Sequence, residues 1–410
     1  MRLLPWLVAA ASALETLVVY DSNYHDDIES ALPAQAFGDA ELTYLDYSES
    51  EFKLLPETYD SVVLLPKAKA KNTAKTWSAE SLMAYTNQGG NLLVIGAADG
   101  VYPEGVRSYL NEIGIYPSPK KYHVYDYFSD DKSALPHFTD ANLVTPAIVS
   151  HVDVADYHGG AALLANNPLV VPLVRCSETS FCAQEDTPMS EDTTWTYGAQ
   201  GFAAAALQAL NNARTAWVGD ISLVTEELVS WTFQQRNVLK LQFVNHINAA
   251  EPRDVNPQLY RVTNDAIYTV GISELKKGEW VPYESEDAVQ MSFKMLDPYV
   301  RLNMSGLGPV ASVEGSDDLD AYAYSVQFTI PDHHGMFTFE LDHKVPGYSY
   351  LQDKRVVTVR HLANDEYQRS WEITNSWMYV GSSALVVAAW LLFVFNYIYV
   401  GLPNKAKKTQ

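Results

Sequence analysis

The feature that most constrains this chain is an apolar stretch near its carboxyl end. Tyr379–Val400 is 22 residues long and has no charged side chain. As a helix it would extend roughly 33 Å, enough to cross the hydrocarbon core of a bilayer. The stretch is apolar on every face, unlike a helix that packs on a soluble core. Together with Trp377 at its edge, where amphipathic rings favour the interface, it predicts a transmembrane helix over residues 377–400.

The amino terminus resembles a short secretory signal. Arg2 precedes the apolar run Leu3–Ala11, and Ala11-Ser12-Ala13 supplies small residues for cleavage. The alternative is a buried first strand, but a separate strand, Leu17–Tyr20, follows at once. We therefore predict a signal peptide over residues 1–13.

The carboxyl-terminal tail, residues 401–410, is basic. Lys405, Lys407 and Lys408 follow the span, and the positive-inside rule places them in the cytosol. With a cleaved signal, this predicts type I topology with a lumenal bulk. Lys407 and Lys408 also stand fourth and third from the end, the spacing of a dilysine signal for retrieval to the endoplasmic reticulum. The alternative is an ordinary basic stop beside the membrane.

Charge and cysteine content exclude several classes of protein. The chain has 28 Lys and Arg against 50 Asp and Glu, a net charge of −22. Without Arg2 and the tail lysines, 24 basic residues face 50 acids, so the lumenal part carries −26. Such a surface repels phosphate backbones and excludes a general nucleic-acid binder. Two cysteines exclude a disulfide-dense scaffold and a cysteine-based metal cluster.

Residues 14–250 alternate between strand and helix patterns. This alternation predicts an α/β domain with a mainly parallel sheet covered by helices on both faces. Ser78 is expected to cap a helix that Gln88-Gly89-Gly90 closes. The predicted strands are Leu17–Tyr20, Ser61–Leu65, Asn91–Ile95 and Thr215–Val218, and the predicted helices are Ala79–Asn87, Ala203–Leu210 and Val238–Ile247.

Beyond Pro252 the apolar period changes to two. Apolar residues alternate with polar ones around Val289–Met295, Tyr322–Ile330 and Phe337–Leu341. Turn-rich segments such as Gly306-Leu307-Gly308-Pro309 separate the runs. The pattern predicts an antiparallel β-sandwich over residues 251–376.

The motifs of common active sites are missing from the sequence. The glycines around Gly89 and Gly96 match neither the dinucleotide fingerprint nor the P-loop, and no Gly-x-Ser-x-Gly elbow occurs. His151, Asp153 and His158 could converge, as could His333 and His334, but a metal site needs a firmer ligand pattern. We predict no catalytic residue, cofactor or metal site.

Two covalent modifications are expected in the lumenal part. Cys176 and Cys182 enclose five residues, and an oxidising lumen favours a structural disulfide between them. Asn303-Met304-Ser305 is an Asn-x-Ser sequon beside a glycine-rich turn, so Asn303 is a candidate glycosylation site.

Small residues line one side of the predicted span. Gly381, Ala384 and Ala388 form a stripe, and small residues allow two helices to approach closely in a membrane. We expect this stripe to pack against a partner helix.

Several segments together resemble a known family. The chain is similar to the DDOST-type, or wheat-germ-agglutinin-binding, subunit of the oligosaccharyltransferase complex, over essentially all of residues 14–410. The single span and the dilysine end fit the fungal members. The segments that carry the resemblance are Leu17-Val18-Val19-Tyr20-Asp21, Gln88-Gly89-Gly90-Asn91, Leu207-Gln208-Ala209-Leu210-Asn211-Asn212-Ala213-Arg214, Trp280-Val281-Pro282-Tyr283, Asp297-Pro298-Tyr299-Val300-Arg301 and Tyr324-Ser325-Val326-Gln327-Phe328.

The resemblance implies a non-catalytic subunit of the endoplasmic reticulum membrane. Its expected partners are a catalytic subunit, a ribophorin II-type subunit and a DAD-type subunit. The first domain is expected to resemble class I glutamine amidotransferases, whose activity needs an early nucleophilic cysteine. This sequence has no cysteine before Cys176. Two alternatives from other classes are a free-standing glycan-binding, lectin-like module and a lumenal glycan-processing enzyme.

Overall fold

The computed structural model describes most of residues 15–367 and the apolar helix near the carboxyl end. The described residues are 15–22, 34–37, 41–49, 52–69, 73–128, 134–184, 190, 193–276, 278–310, 320–367 and 375–399. The predicted signal peptide and the dilysine tail lie outside them. Elements are numbered in chain order. The α-helices are α1 Ala34–Phe37, α2 Ala79–Asn87, α3 Glu104–Ile113, α4 Glu226–Thr232 and α5 Ser376–Ile398.

A nine-stranded mixed sheet forms the centre of the first domain. The strand order is β2-β1-β3-β4-β12-β11-β7-β5, and β8 also pairs with β11. The pairs from β2 to β12 are parallel, and the pairs that involve β11, β7, β8 and β5 are antiparallel. The strands are β1 Glu15–Tyr20, β2 Glu41–Asp46, β3 Ser61–Leu64, β4 Asn91–Ile95, β5 Ile115–Pro117, β7 Ala162–Leu164, β8 Val170–Arg175, β11 Phe202–Gln208 and β12 Arg214–Val218.

Both faces of this sheet are covered, as the apolar strands predict. Val18 and Leu93 point into one core with α1 and α4, whereas Leu17 and Leu92 point into the other with α2 and α3. A small separate sheet has the order β10-β9-β6. Its strands are β6 Tyr122–Tyr125, β9 Phe181–Gln184 and β10 Thr194–Tyr197.

Two further sheets form the predicted sandwich. One has the order β13-β15-β20-β19 with β16 on β15, and the other has the order β14-β22-β21-β17-β18. Among the described residues of these two sheets, β14 and β22 are the only strands that pair in parallel. An aromatic core lies between them, with Phe293 stacked on Phe337 at 4.7 Å. The strands are β13 Val238–Asn248, β14 Leu259–Arg261, β15 Asp265–Lys276, β16 Glu279–Pro282, β17 Gln290–Lys294, β18 Pro298–Asn303, β19 Ser305–Val310, β20 Ala321–Thr329, β21 Gly335–His343 and β22 Leu351–Arg360.

The helix prediction for Ala79–Asn87 is confirmed to the residue. Ser78 is its N-cap, and the Ser78 hydroxyl oxygen accepts a hydrogen bond from the Ser81 amide at 3.3 Å. Gly89, with φ of +99°, lets the chain turn away after the last helical turn.

Two predicted helices are strands in the structure. Ala203–Gln208 lies in β11, whose alanines are buried between β12 and β8, and residues 209–210 belong to the following turn. The intrinsic helix preference of alanine is weak, and the tight space between two neighbouring strands outweighs it. Val238–Ile247 lies in β13, which pairs along its length with β15. The sandwich therefore includes residues before the boundary expected at 250.

The glycine-rich segment 306–309 is also a strand rather than a turn. It belongs to β19, at the edge of its sheet, where the register shifts between Gly306 and Gly308. Gly308 has φ of +106°, which a glycine adopts without strain. Glycine thus allows a bulge within a strand at this edge.

Candidate functional site

Two of the polar segments noted in the sequence meet at one edge of the first domain. The turn between β11 and β12 carries Asn211, whose side-chain amide donates to the Thr86 carbonyl at 2.8 Å and the Asn87 carbonyl at 3.1 Å. The Asn91 side-chain oxygen accepts from the Arg214 amide at 3.0 Å. The turn that ends α2 and the β11–β12 turn are therefore held together by side-chain amides.

Arg214 lies at the centre of this edge and is fully buried. Its guanidinium stacks over the Trp231 ring, with 4.6 Å between Cζ and the ring centroid. Five oxygen atoms accept hydrogen bonds from it. They are Gln208 Oε1 at 2.9 Å, the carbonyls of Trp231 at 2.6 Å, Arg236 at 2.7 Å and Asn237 at 2.8 Å, and Ser349 Oγ at 3.1 Å.

No carboxylate is among these partners of Arg214. Burial lowers the pKa of its guanidinium to about 9, because removal from water disfavours the charged form. The carbonyl dipoles around it replace part of the lost solvation. The Trp231 carbonyl belongs to the last turn of α4, where helix carbonyls lack intrahelical donors and a cation is favourable. Arg214 therefore caps α4 as well as joining it to β12.

The same edge contacts the sandwich. Asn212 donates to the Tyr350 carbonyl at 3.2 Å and accepts from the Tyr350 amide at 2.8 Å. The Trp231 indole donates to the Gly347 carbonyl at 2.7 Å. We call the group Gln208, Asn212, Arg214, Trp231 and Ser349 the junction cluster. Its hydrogen bonds cross between the two domains and set their relative orientation.

A cleft of about 1410 Å³ opens beside the junction cluster. Two ion pairs occupy its wall: Glu227 with Arg236 at 2.7 Å, and Glu274 with Lys276 at 2.9 Å. The Ser150 hydroxyl also donates to Glu227 at 2.8 Å. These carboxylates are already paired, so they are poor candidates for a general base. The lining includes Asp60, Asn91, Glu226, Glu227, Phe233, Gln234, Arg236, Asn237, Glu274, Lys276 and Tyr348.

Cys176 and Cys182 are both buried and are free thiols in the structure. Burial raises the pKa of both thiols, that of Cys182 to about 11. A neutral buried thiol is a poor nucleophile at physiological pH. The disulfide expected from the sequence stays a prediction.

The histidines considered as metal ligands do not converge. His151 Nδ1 lies 2.8 Å from Asp140, whereas Asp153 pairs with His137 at 2.8 Å. The His334 ring contacts His361, with 3.9 Å between centroids, and His333 faces Tyr299 instead. Within the described ranges, no three His, Cys, Asp or Glu side chains form a group that could hold a metal ion.

Comparison with known proteins covers both domains. The model of the OST48 N-terminal domain matches residues 8–253, and that of the OST48 middle domain matches residues 245–401. The chain belongs to the OST48 family.

Relatives of this OST48-family chain span nearly its whole length. It is 32% identical over 427 residues to the dolichyl-diphosphooligosaccharide–protein glycosyltransferase subunit WBP1 of Saccharomyces cerevisiae, covering 98% of this chain and 95% of that protein. The Schizosaccharomyces pombe subunit wbp1 is 28% identical, covering 95% and 93%. The 48 kDa subunit of Danio rerio is 28% identical, covering 85% and 82%.

Among solved structures, the mmIFT52 N-terminal domain matches with a TM-score of 0.36 and 13% identity. It covers 51% of this chain and 87% of that domain. A likeness at this level supports no further conclusion.

The predicted glycosylation site of the OST48-family chain lies between two strands. Asn303 ends β18 and is exposed, and Ser305 begins β19. Met304 between them is buried. The Asn303 side-chain oxygen accepts a hydrogen bond from the side-chain amide of Gln290 at 2.9 Å. An exposed asparagine suits glycosylation, which stays a prediction.

The predicted span corresponds to α5, which starts one residue earlier than the expected residue 377 and ends at Ile398. It has a mean hydropathy of 2.0 and is long and apolar enough to cross a membrane. Gly381, Ala384 and Ala388 are exposed on it, so their stripe remains open to a partner helix. The hydroxyls of Ser382 and Ser383 donate to the Tyr379 carbonyl, each at 2.9 Å. Lys407 and Lys408 lie outside the described residues.

The segment Leu207–Arg214, which carries part of the family resemblance, supplies three residues of the junction cluster, and its pattern alone indicates no such role. An arginine directly before the apolar run Thr215–Val218 was the available signal, because a charge at the start of a buried strand needs partners. Trp231 and Ser349 carried no such signal. They reach Arg214 from 17 and 135 residues away in sequence.

Proposed function

We propose that this OST48-family chain is a non-catalytic subunit of oligosaccharyltransferase. That complex transfers a preassembled glycan from dolichyl diphosphate to Asn in Asn-x-Ser/Thr of nascent proteins. The chain serves its assembly and stability and performs no chemistry alone. The observation that carries the proposal is full-length similarity to a subunit of that name, over 98% of this chain and 95% of the relative.

The junction cluster supports a role in assembly. Its polar side chains hold two domains in one orientation, and their hydrogen-bonding capacity is directed to each other and to backbone. A fixed pair of domains presents one rigid surface to partners, which lowers the entropic cost of association. A rigid surface of this kind suits an accessory subunit, which acts by binding its partners.

The remaining assignments belong to the same proposal. The chain is a single-pass type I protein of the endoplasmic reticulum membrane, with residues 14–376 in the lumen. Its partners are the catalytic subunit, a ribophorin II-type subunit and a DAD-type subunit, and Gly381, Ala384 and Ala388 pack against a partner helix. Lys407 and Lys408 retrieve the chain if it escapes. The parallel half of the first sheet, from β2 to β12, is consistent with an amidotransferase-like origin.

Depletion and replacement in cells test the function. Loss of the chain should lower N-glycosylation together with the amount of assembled complex, because the remaining subunits separate. Re-expressed variants with single lumenal acids changed to amides, such as Glu227→Gln, should restore both. A fully assembled complex made inactive by one such change would contradict the proposal and place the chain among enzymes.

A glycan-binding role is the second candidate, favoured by one surface. On the small sheet, Tyr125, Phe181 and Tyr197 lie side by side in register. Tyr127 packs on Phe181 at 5.7 Å and is 69% exposed, and Phe128 is 80% exposed. Sugar rings stack on such aromatic faces. Titration with oligosaccharides, comparing the unchanged chain with Tyr127→Ala, would detect this activity, and equal responses would exclude it.

A further inference from the structure

Three apolar side chains are exposed at one end of the sandwich. Leu296 is 92% exposed, Met336 is 66% exposed and Tyr299 is 46% exposed. Leu296 lies in the three-residue turn between β17 and β18, Tyr299 is in β18, and Met336 is near the start of β21. We call these three residues the Leu296 tip.

Strand register brings the tip together. Lys294 pairs with Thr338 on one side and with Pro298 on the other, so the turn lies level with the start of β21. A Cβ added to Gly335 would lie 2.9 Å from Met295 Cε, which shows how closely the two segments approach. The Tyr299 ring packs on Phe337 with 5.4 Å between centroids. The three side chains therefore lie at one end of the β17–β18 hairpin and its neighbour β21.

Strand β22 relates the tip to both the junction and the span. Its first residue follows Tyr350, which bonds to Asn212 of the junction cluster. Its ten residues extend roughly 33 Å. Near its far end, Val359 pairs with Gly335, next to Met336 of the tip. The first domain and the Leu296 tip therefore lie at opposite ends of the sandwich.

The chain leaves this far end toward α5 by a short connection. The Glu366 carboxylate accepts two hydrogen bonds from the Arg360 guanidinium, each 2.8 Å long, and keeps Tyr367 near the end of β22. Eight residue steps separate Tyr367 from Asn375, which directly precedes α5, and they extend at most about 29 Å. The chain therefore leaves for α5 from the same end of the sandwich as the Leu296 tip, and α5 begins within about 29 Å of Tyr367.

We propose that the Leu296 tip inserts into the interface of the bilayer that α5 crosses. Leu296 and Met336 supply apolar surface, and Tyr299 is an amphipathic ring of the kind enriched at headgroup level. Insertion is expected to reach about 5–10 Å into the headgroup and acyl boundary. The tether keeps the patch at a high effective concentration beside lipid, so three side chains suffice.

This inference rests on the proposal that α5 spans the membrane. With the tip in the interface, the sandwich stands upright on the bilayer and holds the first domain about the length of β22 away from it. The lipid contact would thus fix the height and tilt of the whole lumenal part.

Site-specific labelling of the full chain tests the proposal. Leu296→Cys and Met336→Cys, each labelled with an NBD maleimide, are reconstituted without other subunits into phosphatidylcholine vesicles. The vesicles contain phosphatidylcholine spin-labelled near the headgroup. Native Cys176 and Cys182 are buried, so labelling is directed to the new thiol. We expect a blue-shifted emission at both positions and a loss of emission several-fold larger than at a control position.

Leu210→Cys is the matched control. Leu210 is 65% exposed, close to the 66% of Met336, but it lies in the β11–β12 turn at the junction. Equal quenching at Leu296, Met336 and Leu210 would overturn the proposal. Labels that are unquenched in vesicles but shielded from iodide in the assembled complex would overturn it in favour of a subunit contact. Alkaline carbonate extraction of the same vesicles reports separately on α5, since release of the chain would contradict the span itself.

Discussion

Arg214→Met removes the charge of the junction cluster while keeping a side chain of similar length. In the folded chain, five oxygen atoms lose their donor, three of them backbone carbonyls. Trp231 also loses the cation stacked on its ring. The change tests whether this buried guanidinium holds the two domains together.

The size of the effect follows from these contacts. A buried acceptor left without its donor costs about 1–3 kcal/mol. Adding this cost for all five acceptors overestimates the loss of stability. Methionine fills the volume of the aliphatic part of the arginine side chain, and the variant no longer has a charge to bury. We therefore expect the free energy of unfolding to fall by about 3–5 kcal/mol, at the upper end of single substitutions. Arg214→Lys keeps a charge with three donors and should cost about half as much, because the planar fork is lost.

Urea unfolding of the full chain in detergent micelles measures the loss. Tryptophan fluorescence follows both domains, since Trp217 and Trp231 lie in the first domain and Trp280 lies in the sandwich. We expect the Arg214→Met transition to separate into two steps as the domains uncouple. Arg301→Met is the matched control, since Arg301 is exposed and donates to Ser292 at the sandwich surface. It should stay within about 0.5 kcal/mol of the unchanged chain. A loss below about 1 kcal/mol for Arg214→Met, with a single transition, would refute the reasoning.

Three further predictions concern other regions. Burial lowers the pKa of His246 to about 4, below its usual 6.5. Between pH 6.5 and 4 the unfolded chain therefore binds a proton at His246 that the folded chain does not bind, so the free energy of unfolding falls as pH drops, by at most about 1.4 kcal/mol per pH unit. Urea titrations at several pH values measure this fall. Mass spectrometry without reductant should find Cys176 linked to Cys182, and replacing both by serine should cost roughly 2 kcal/mol by the loop-entropy estimate. Ala384→Leu and Ala388→Leu should reduce recovery of the assembled complex in affinity purification, because added methylenes prevent close helix packing.

Each of these predictions has a control or a contradicting result. His246→Phe removes the titrating ring, so it should flatten the acid-side decline, and an unchanged slope would assign the protons elsewhere. Alkylation of both cysteines in native, unreduced protein would exclude the disulfide. Val386→Leu adds a methylene on another side of α5, and if it disturbs assembly as much as Ala384→Leu, the small-residue stripe is not the contact face.

Local patterns were sufficient for several elements. The long apolar helix, the buried strand Asn91–Ile95 and the helix capped by Ser78 are each decided by side chains within the segment itself. The signals are local in each case. A run of apolar residues marks the long helix, a short apolar run marks a strand that is covered on both faces, and a serine marks the residue that caps the first helical amides. The alternating runs of the sandwich were equally readable, because period two needs only one buried face.

Strands β11 and β13 could not be assigned from their own residues. Ala203–Ala206 has no β-branched side chain and becomes a strand because β12 and β8 flank it. Val238–Ile247 mixes apolar and polar residues in a way that fits either period, and only pairing with β15 decides the matter. Partners chosen across the fold outweighed intrinsic preference in both cases.

The amino-acid sequence by itself determined the family, the long apolar helix and the kinds of layers that residues 15–367 form, because composition and short-range periodicity encode hydropathy and burial. Only the tertiary structure decided that Arg214 would be buried at a junction. The Gln234 side chain reaches Asn91 across 143 residues, and Arg214 reaches Ser349 across 135. A buried cation is stable only where carbonyl groups from several distant segments converge on it, and that convergence exists only once both domains have folded against each other.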